Sequence, residues 1–326
     1  MTEAKIQHYV PRFLLKNFGF GKKSQVWVYD KKDGRSFQTN AKNVACENRF
    51  YDFDLDGQKL SLESGLSQIE SKTKPVIEQI LRDDSVAGIG AKGRDILALF
   101  LAIQLTRTKA LREQWAEFPR MLREKFEAME VQVAPGSQAE SLIQDLPENQ
   151  IKINITRIIL KASTTFGPYF SNKIWFLAKT TKSDPFILGD NPISLQNHID
   201  MEPYGNLGLA VRGIEIYLPL SSTRVLVMWC PSLANDIQAA ADKIRRLPQN
   251  AVNAHLKNPA GILEMDSALQ SGGTLAYEKM SVMNLNSLQV YHSERYLFSS
   301  KNDFALADKM IGDHPQIRSG QRPSVN

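Results

Sequence analysis

Cysteine is scarce: the 326 residues contain only Cys46 and Cys230. The two stand far apart and in no metal-ligand spacing. That excludes a disulfide-framed miniprotein and a zinc ribbon, and a reduced chain is expected. Cys46 has Glu47 beside it and no nearby histidine, so nothing marks it as an activated nucleophile. Long apolar runs are missing too. The best, Ile96 to Leu105, is about half of the roughly 20 residues that a membrane helix needs. The opening, Met1 to Tyr9, is polar and has no basic-then-apolar order of a secretory leader. No membrane partner is expected, and the protein is read as cytoplasmic. Charge of one sign is not in excess either: 40 Lys and Arg stand against 35 Asp and Glu, a net of +5. The most basic stretch, Arg94 to Lys125, holds seven basic residues against four acidic ones. A solvated helix face explains that bias as well as a nucleic-acid surface does. HExxH, GxSxG, paired CxxC and EF-hand patterns are absent, and the glycines of GFGKK and GIGAKG lack the Walker spacing.

What remains is a globular composition, 42% hydrophobic and 23% charged. A short helix is predicted after Pro11, and a hairpin where SQVWVYD and RSFQT flank KKDG. From about residue 60 to 165 the pattern turns helical. LSLESGLSQIESKTKPVIEQILRD reads as one amphipathic helix kinked or divided at Pro75. RDILALFLAIQLTRTKALREQWAEFPRMLREKFEAME reads as a long helix bent near Pro119, its first third apolar on all sides and therefore buried. A further helix is predicted over NQIKINITRIILKASTTF. The second half predicts strands at NKIWFLAKTT, PFILGDN, GIEIYLPLS, TRVLVMWCP and RYLFSS, with helices from Ser232 to Arg246 and from Leu275 to His292. The expected class is α+β: a helical layer or bundle packed against a mainly antiparallel sheet, with an N-terminal β-hairpin. Residues 1–300 are expected to form one domain, and 301–326 a C-terminal extension with a mobile tail.

Several blocks also resemble a known family. HYVPRFLLKNF at His8 to Phe18, ACENRFYD at Ala45 to Asp52, the LES…IE pattern from Leu62 to Glu70 and QLTRT at Gln104 to Thr108 occur in order. FILGDNPI at Phe186 to Ile193, YLPLSS at Tyr217 to Ser222 and NLNSLQVYHSERYLFSS complete the set. Together they resemble the bacterial domain-of-unknown-function family 4238. One departure is Gly189 before Asp190, where a hydroxyl residue would be expected. The resemblance implies no chemistry.

The candidate residues come from these blocks. Glu63 and Glu70, seven apart on one helix, share a face roughly 10 Å long and could each join metal ligands from elsewhere. An acidic face near a helix start is the plain alternative. Gln104 and Arg107 are neighbours on one helix face. Arg107 on an apolar helix must find a partner, either a glutamate in a structural pair with the Glu63–Glu70 helix or an anionic ligand. Asp190 and Asn191 follow a buried strand, where they could ligate a metal or serve as a base, or form a backbone turn before Pro192. His8 could move a proton or bind a metal, and Arg12 could clamp phosphate. Asn286 and Gln289 could face inward together.

Two functions follow from these residue types. In the first, Glu63, Glu70 and Asp190 hold Mg²⁺ or Mn²⁺, with His8, Glu70 and Asp190 catalytic and Arg12, Gln104, Arg107 and Asn191 binding the substrate. That would be a metal-dependent effector cleaving phosphodiesters or nucleotides, with a nucleic acid or nucleotide as partner. In the second, the same residues form a structural network or a non-catalytic module that binds an anionic ligand. The first requires a focus of carboxylates, and the second requires arginines and amides along a pocket without one.

Overall fold

The β-formers on either side of Asp33-Gly34 fold back on each other as predicted. The computed structural model describes residues 5–201, 205–248 and 258–322. In it, β2 (Gln25–Asp30) and β3 (Arg35–Asn40) pair antiparallel with Asp30 opposite Arg35. Gly34 takes φ +65° at the turn, which glycine adopts without strain. Before the hairpin come β1 (Ile6–His8) and α1 (Arg12–Lys16), the latter preceded by Pro11 at φ −56°. After it come β4 (Cys46–Asn48), paired with β1, and a second hairpin of β5 (Asp52–Leu55) with β6 (Gln58–Ser61).

Helices then dominate. α2 (Glu63–Asp83) continues through Pro75, so of the kink or division expected there, the division does not occur. α3 (Gly90–Thr106) is the buried helix that its apolar sequence predicts; Leu97, Phe100, Leu101 and Ala102 are fully enclosed. The expected long helix breaks before Pro119. Thr108 turns to extended backbone, and its hydroxyl accepts from Leu111 N at 3.3 Å, an N-cap that starts α4 (Lys109–Ala128) anew. Pro119 sits buried inside α4. A short α5 (Gln138–Ile143), α6 (Glu148–Thr165) and α7 (Gly167–Ser171) complete the layer, with α3 packed against α2, α6 and α7.

The second half supplies β7 (Ile174–Lys179), β8 (Leu188–Gly189), β9 (Ser194–Gln196), β10 (Glu215–Ser221), β11 (Arg224–Trp229) and α8 (Pro231–Arg246). α9 (Pro259–Ser271) was not expected from the sequence pattern. β12 (Thr274–Ala276) takes the residues where a helix was predicted to start, because they pair in parallel with β7. That helix, α10 (Lys279–His292), begins after them and is followed by β13 (Tyr296–Ser299) and α11 (Ala305–Asp313).

Two main sheets result. One runs β12-β7-β11-β10-β9 and the other β3-β2-β13-β8; within them only the β12–β7 pair is parallel. Alternation divides the larger sheet's side chains between two cores. Trp175, Leu177, Ile216, Leu218, Leu226 and Met228 face the cluster that includes α3, whereas Phe176, Tyr217, Val225, Val227 and Trp229 face α9 and α10. The chain beyond 300 is not a free extension over its described part. Ile311 and Ile317 are buried, Tyr29 donates to Asp308, and Arg322 pairs with Glu117 and Glu294 at 2.8 and 2.7 Å. Of the tail expected to be mobile from Gly312 onward, residues 312–322 include a helical turn at Pro315–Arg318, and residues 323–326 lie outside the described residues. Among the described residues no helix is long and apolar enough to cross a membrane.

Candidate anion-binding site

Arg107 ends α3 with 2% of its surface exposed, and a buried guanidinium demands compensation. Its Nη2 lies 2.7 Å from Glu70 Oε1 and 2.6 Å from the His8 carbonyl, and its Nε donates to the Tyr51 hydroxyl at 3.2 Å. The Tyr51 hydroxyl lies 3.2 Å from the carbonyls of both His8 and Arg107. Burial works against the charge on Arg107, but Tyr51 and Glu70 outweigh it and raise its pKa above the usual arginine value. This is the structural Arg–Glu pair that the sequence offers as one of two readings. Gln104, one turn earlier and fully buried, donates to the Tyr9 carbonyl at 3.0 Å. Its Oε1 has no partner among the described residues.

Tyr51 and Gln7 escaped the sequence reading. Gln7, fully buried beside His8, accepts from Tyr51 N at 2.6 Å and donates to Asp52 at 2.7 Å. Tyr51 stands inside the Ala45 to Asp52 block, which was the available signal; Gln7 precedes the His8 to Phe18 block and had none. The β1 end, the β5 start and the α3 end are thereby fixed to one another. His8 Nε2 faces the Lys42 carbonyl at 3.1 Å. Burial, with Arg12 and Arg107 nearby, lowers its pKa to about 4, so the ring is neutral at pH 7.

In front of this cluster lies a cleft of about 470 Å³ between α1 and α2. Glu70 forms part of its lining, with Arg12, Lys16 and Asn17 from α1 and its end, and Ser67, Ser71, Lys74 and Glu78 from α2. Both acids already have basic partners: Glu70 has Arg107, and Glu78 has Lys74 at 3.6 Å. The side chains of Arg12 and Lys16 form no hydrogen bond or ion pair among the described residues. Their four-residue spacing puts them on one face of α1, and Ser67, Ser71 and Lys74 make a polar stripe on α2 by the same rule. That spacing could have added Lys16, Ser67 and Ser71 to the sequence prediction.

Asp190 and Asn191 are elsewhere. Asp190 is fully buried and accepts from the backbone amides of Glu294, Arg295 and Tyr296 at 2.6, 3.0 and 2.9 Å. Burial pushes its pKa up to about 6 against the pull of those amides and of Lys31. Lys31, also fully buried, donates to the carbonyls of Val290 and Ser293, both at 2.7 Å. An anion and a cation thus grip the turn after α10 from two sides, the cation at the helix C-terminus where carbonyls are unpaired. Asn191 donates to the His292 carbonyl at 3.0 Å. Gln289 accepts from Gly189 N and donates to the Pro192 carbonyl, and Asn286 accepts from Ile187 N and donates to the Pro185 carbonyl. The amides expected to face inward satisfy the backbone of residues 185–192.

A shared metal needs carboxylate lone pairs that converge on one point. Glu70 is turned to Arg107, Glu47 to Lys109, Asp190 to three amides and His8 Nε2 to a carbonyl. Glu63 opens α2, where its amide donates to Ser61 Oγ at 3.3 Å and its charge acts on Tyr51. Among the described residues no three His, Cys, Asp or Glu side chains are grouped to hold one ion. That geometry offers Mg²⁺ or Mn²⁺ no ready-made cage there. A family model described as a protein of unknown function, DUF4238, matches residues 6–303. No curated protein and no solved structure matches the chain.

Proposed function

The chain belongs to the DUF4238 family, whose description assigns no function, and we propose that it is a binding module for a phosphate-bearing anion held between α1 and α2. The observation that carries this reading is the pair of cations without an ion-pair partner among the described residues, Arg12 and Lys16, at a cleft whose two acids already pair with basic residues. A phosphate there would meet the Arg12 guanidinium, the Lys16 ammonium and the Ser67 and Ser71 hydroxyls, all suited to its oxygens. Glu70 then forms part of the cleft wall, its charge offset by the buried Arg107 guanidinium.

Calorimetric titration with ATP and with inorganic phosphate at low ionic strength tests the proposal. An Arg12→Ala/Lys16→Ala double variant should lose about ten-fold or more in affinity, since two charge-assisted contacts go. Undiminished binding by that variant overturns the reading. A Mn²⁺-dependent rise in thermal stability, abolished by Glu70→Ala, would instead favour metal-dependent cleavage of a nucleotide or nucleic acid.

A further inference from the structure

A cavity larger than the α1/α2 cleft, about 850 Å³, opens between the β9–β10 side of the five-stranded sheet and helices α8, α9 and α10. Its walls include Ile237, Ile262, Met265, Leu275 and Leu285. Three glutamates line it, Glu215, Glu264 and Glu278, and no Lys, Arg or His does so among the described residues. In a chain of net charge +5 this polarity is reversed locally. Glu264 and Glu278 are exposed, and their carboxylates have no ion-pair or hydrogen-bond partner among the described residues.

Glu215 differs from those two, being 7% exposed. The Tyr217 hydroxyl donates to its Oε2, and Gln196 Nε2 lies 3.4 Å from the same oxygen. The nearest base is His198, 3.5 Å away on a side chain that is 77% exposed; no Lys or Arg of the described residues pairs with it. Across the strand pair stands Trp229, whose buried indole N–H acts on the Tyr217 hydroxyl rather than on Glu215. A buried carboxylate without a permanent counter-cation is costly unless something supplies the charge. Tyr277 completes the surroundings, and the Glu215 charge raises the pKa of both Tyr217 and Tyr277, after the larger effect of their own burial.

We propose that this cavity binds a small organic cation, an ammonium group carried on an apolar body. The ammonium sits against Glu215 beside the Tyr217 hydroxyl, whose oxygen keeps a lone pair free to accept from it. The apolar body fills the Ile/Leu/Met walls, in a volume typical of small-molecule sites. The rim glutamates attract the positive charge and repel carboxylates. This site is separate from the α1/α2 cleft and selects the opposite charge.

The test is titration of the full chain with hexylamine, hexanol and hexanoate, which share one alkyl chain and differ in charge. Saturable binding of hexylamine in preference to both others is expected. Glu215→Gln, which keeps an acceptor for Tyr217, should weaken hexylamine by about thirty-fold or more without weakening hexanol. Hexanoate or hexanol binding as well as hexylamine, no saturable hexylamine binding, or unchanged affinity in Glu215→Gln each overturns the proposal. If that variant does not fold, the exposed double variant Glu264→Gln/Glu278→Gln decides. A loss of about two- to five-fold for hexylamine supports the site, and no change overturns it.

Discussion

Arg107 and Glu70 meet at 2.7 Å where the end of α3 lies against α2, and the two sides of that bond see different surroundings. The arginine side chain is 2% exposed and the glutamate side chain 24%, because one faces the core and the other the α1/α2 cleft. Removing each partner should therefore have unequal effects. Arg107→Met leaves Glu70 able to turn to water but strips donors from the His8 carbonyl and Tyr51; a loss of about 3–5 kcal/mol is expected. Glu70→Gln keeps a carbonyl acceptor for Arg107 and should lose about 1–2 kcal/mol. Urea unfolding of the two single variants and the double variant measures both effects and their coupling.

Asp190→Ala should destabilise without touching anion binding. Three amides, one of them fully buried, would lose their acceptor, and about 3 kcal/mol is expected. The urea midpoint should fall, while phosphate titration of the folded variant stays unchanged. A normal midpoint would show that the turn after α10 is held by other contacts.

His8 makes stability sensitive to acid. Its pKa is about 4 in the folded chain against an ordinary 6.5, so between those values the unfolded chain takes up a proton that the folded one refuses. Stability from this residue is full above pH 6.5 and is lost as pH falls toward 4. Asp190 acts in the opposite sense. Raised from 3.8 to about 6, it holds its proton more readily when folded, and its contribution weakens as pH rises through that window. The comparison to make is wild type against His8→Gln across pH 4 to 7. The variant should lose less stability on acidification, and identical slopes would remove His8 from the account.

Gly189→Ser should destabilise, even though a hydroxyl residue is what the family resemblance leads one to expect before Asp190. A Cβ there would stand 3.1 Å from Ser293 Cβ and 3.2 Å from the Gln289 carbonyl and side-chain oxygens. Crowding of that kind costs about 1–3 kcal/mol. Thermal melts of the variant measure it, and an unchanged Tm would mean that α10 can shift to make room.

Legibility followed how local the cause was. Asp33-Gly34 carries its hairpin in the turn residues themselves, and α3 announces burial through residues apolar on every side. The partner of Arg107 was one of two open readings, because choosing between them requires knowing that α2 lies against α3. Lys31 was beyond reach: KKDG looks like a solvated turn, yet its ammonium contacts a carbonyl 259 residues away. The α9 helix had usable signals that went unread. Asn258 caps its start by accepting from Gly261 N at 2.9 Å, Pro259 follows, and Gly272 ends it at φ +64°. Asp190 stands in the sequence with two open readings, a metal ligand or base and a backbone turn, and no sequence pattern shows where three amides from residues 294–296 come to rest.

The β3-β2-β13-β8 order has a consequence for how the chain is made. β13 lies between β2 and β8, so β2, which leaves the ribosome early, waits for a strand more than 260 residues later. Until residues 296–299 emerge, β2 offers a bare row of amides and carbonyls on the side away from β3. Such an edge can recruit the same segment of another nascent chain. Synthesis stalled before residue 296 should therefore yield aggregates in which β2 is paired between molecules, and chaperones that shield extended segments should matter most in that interval.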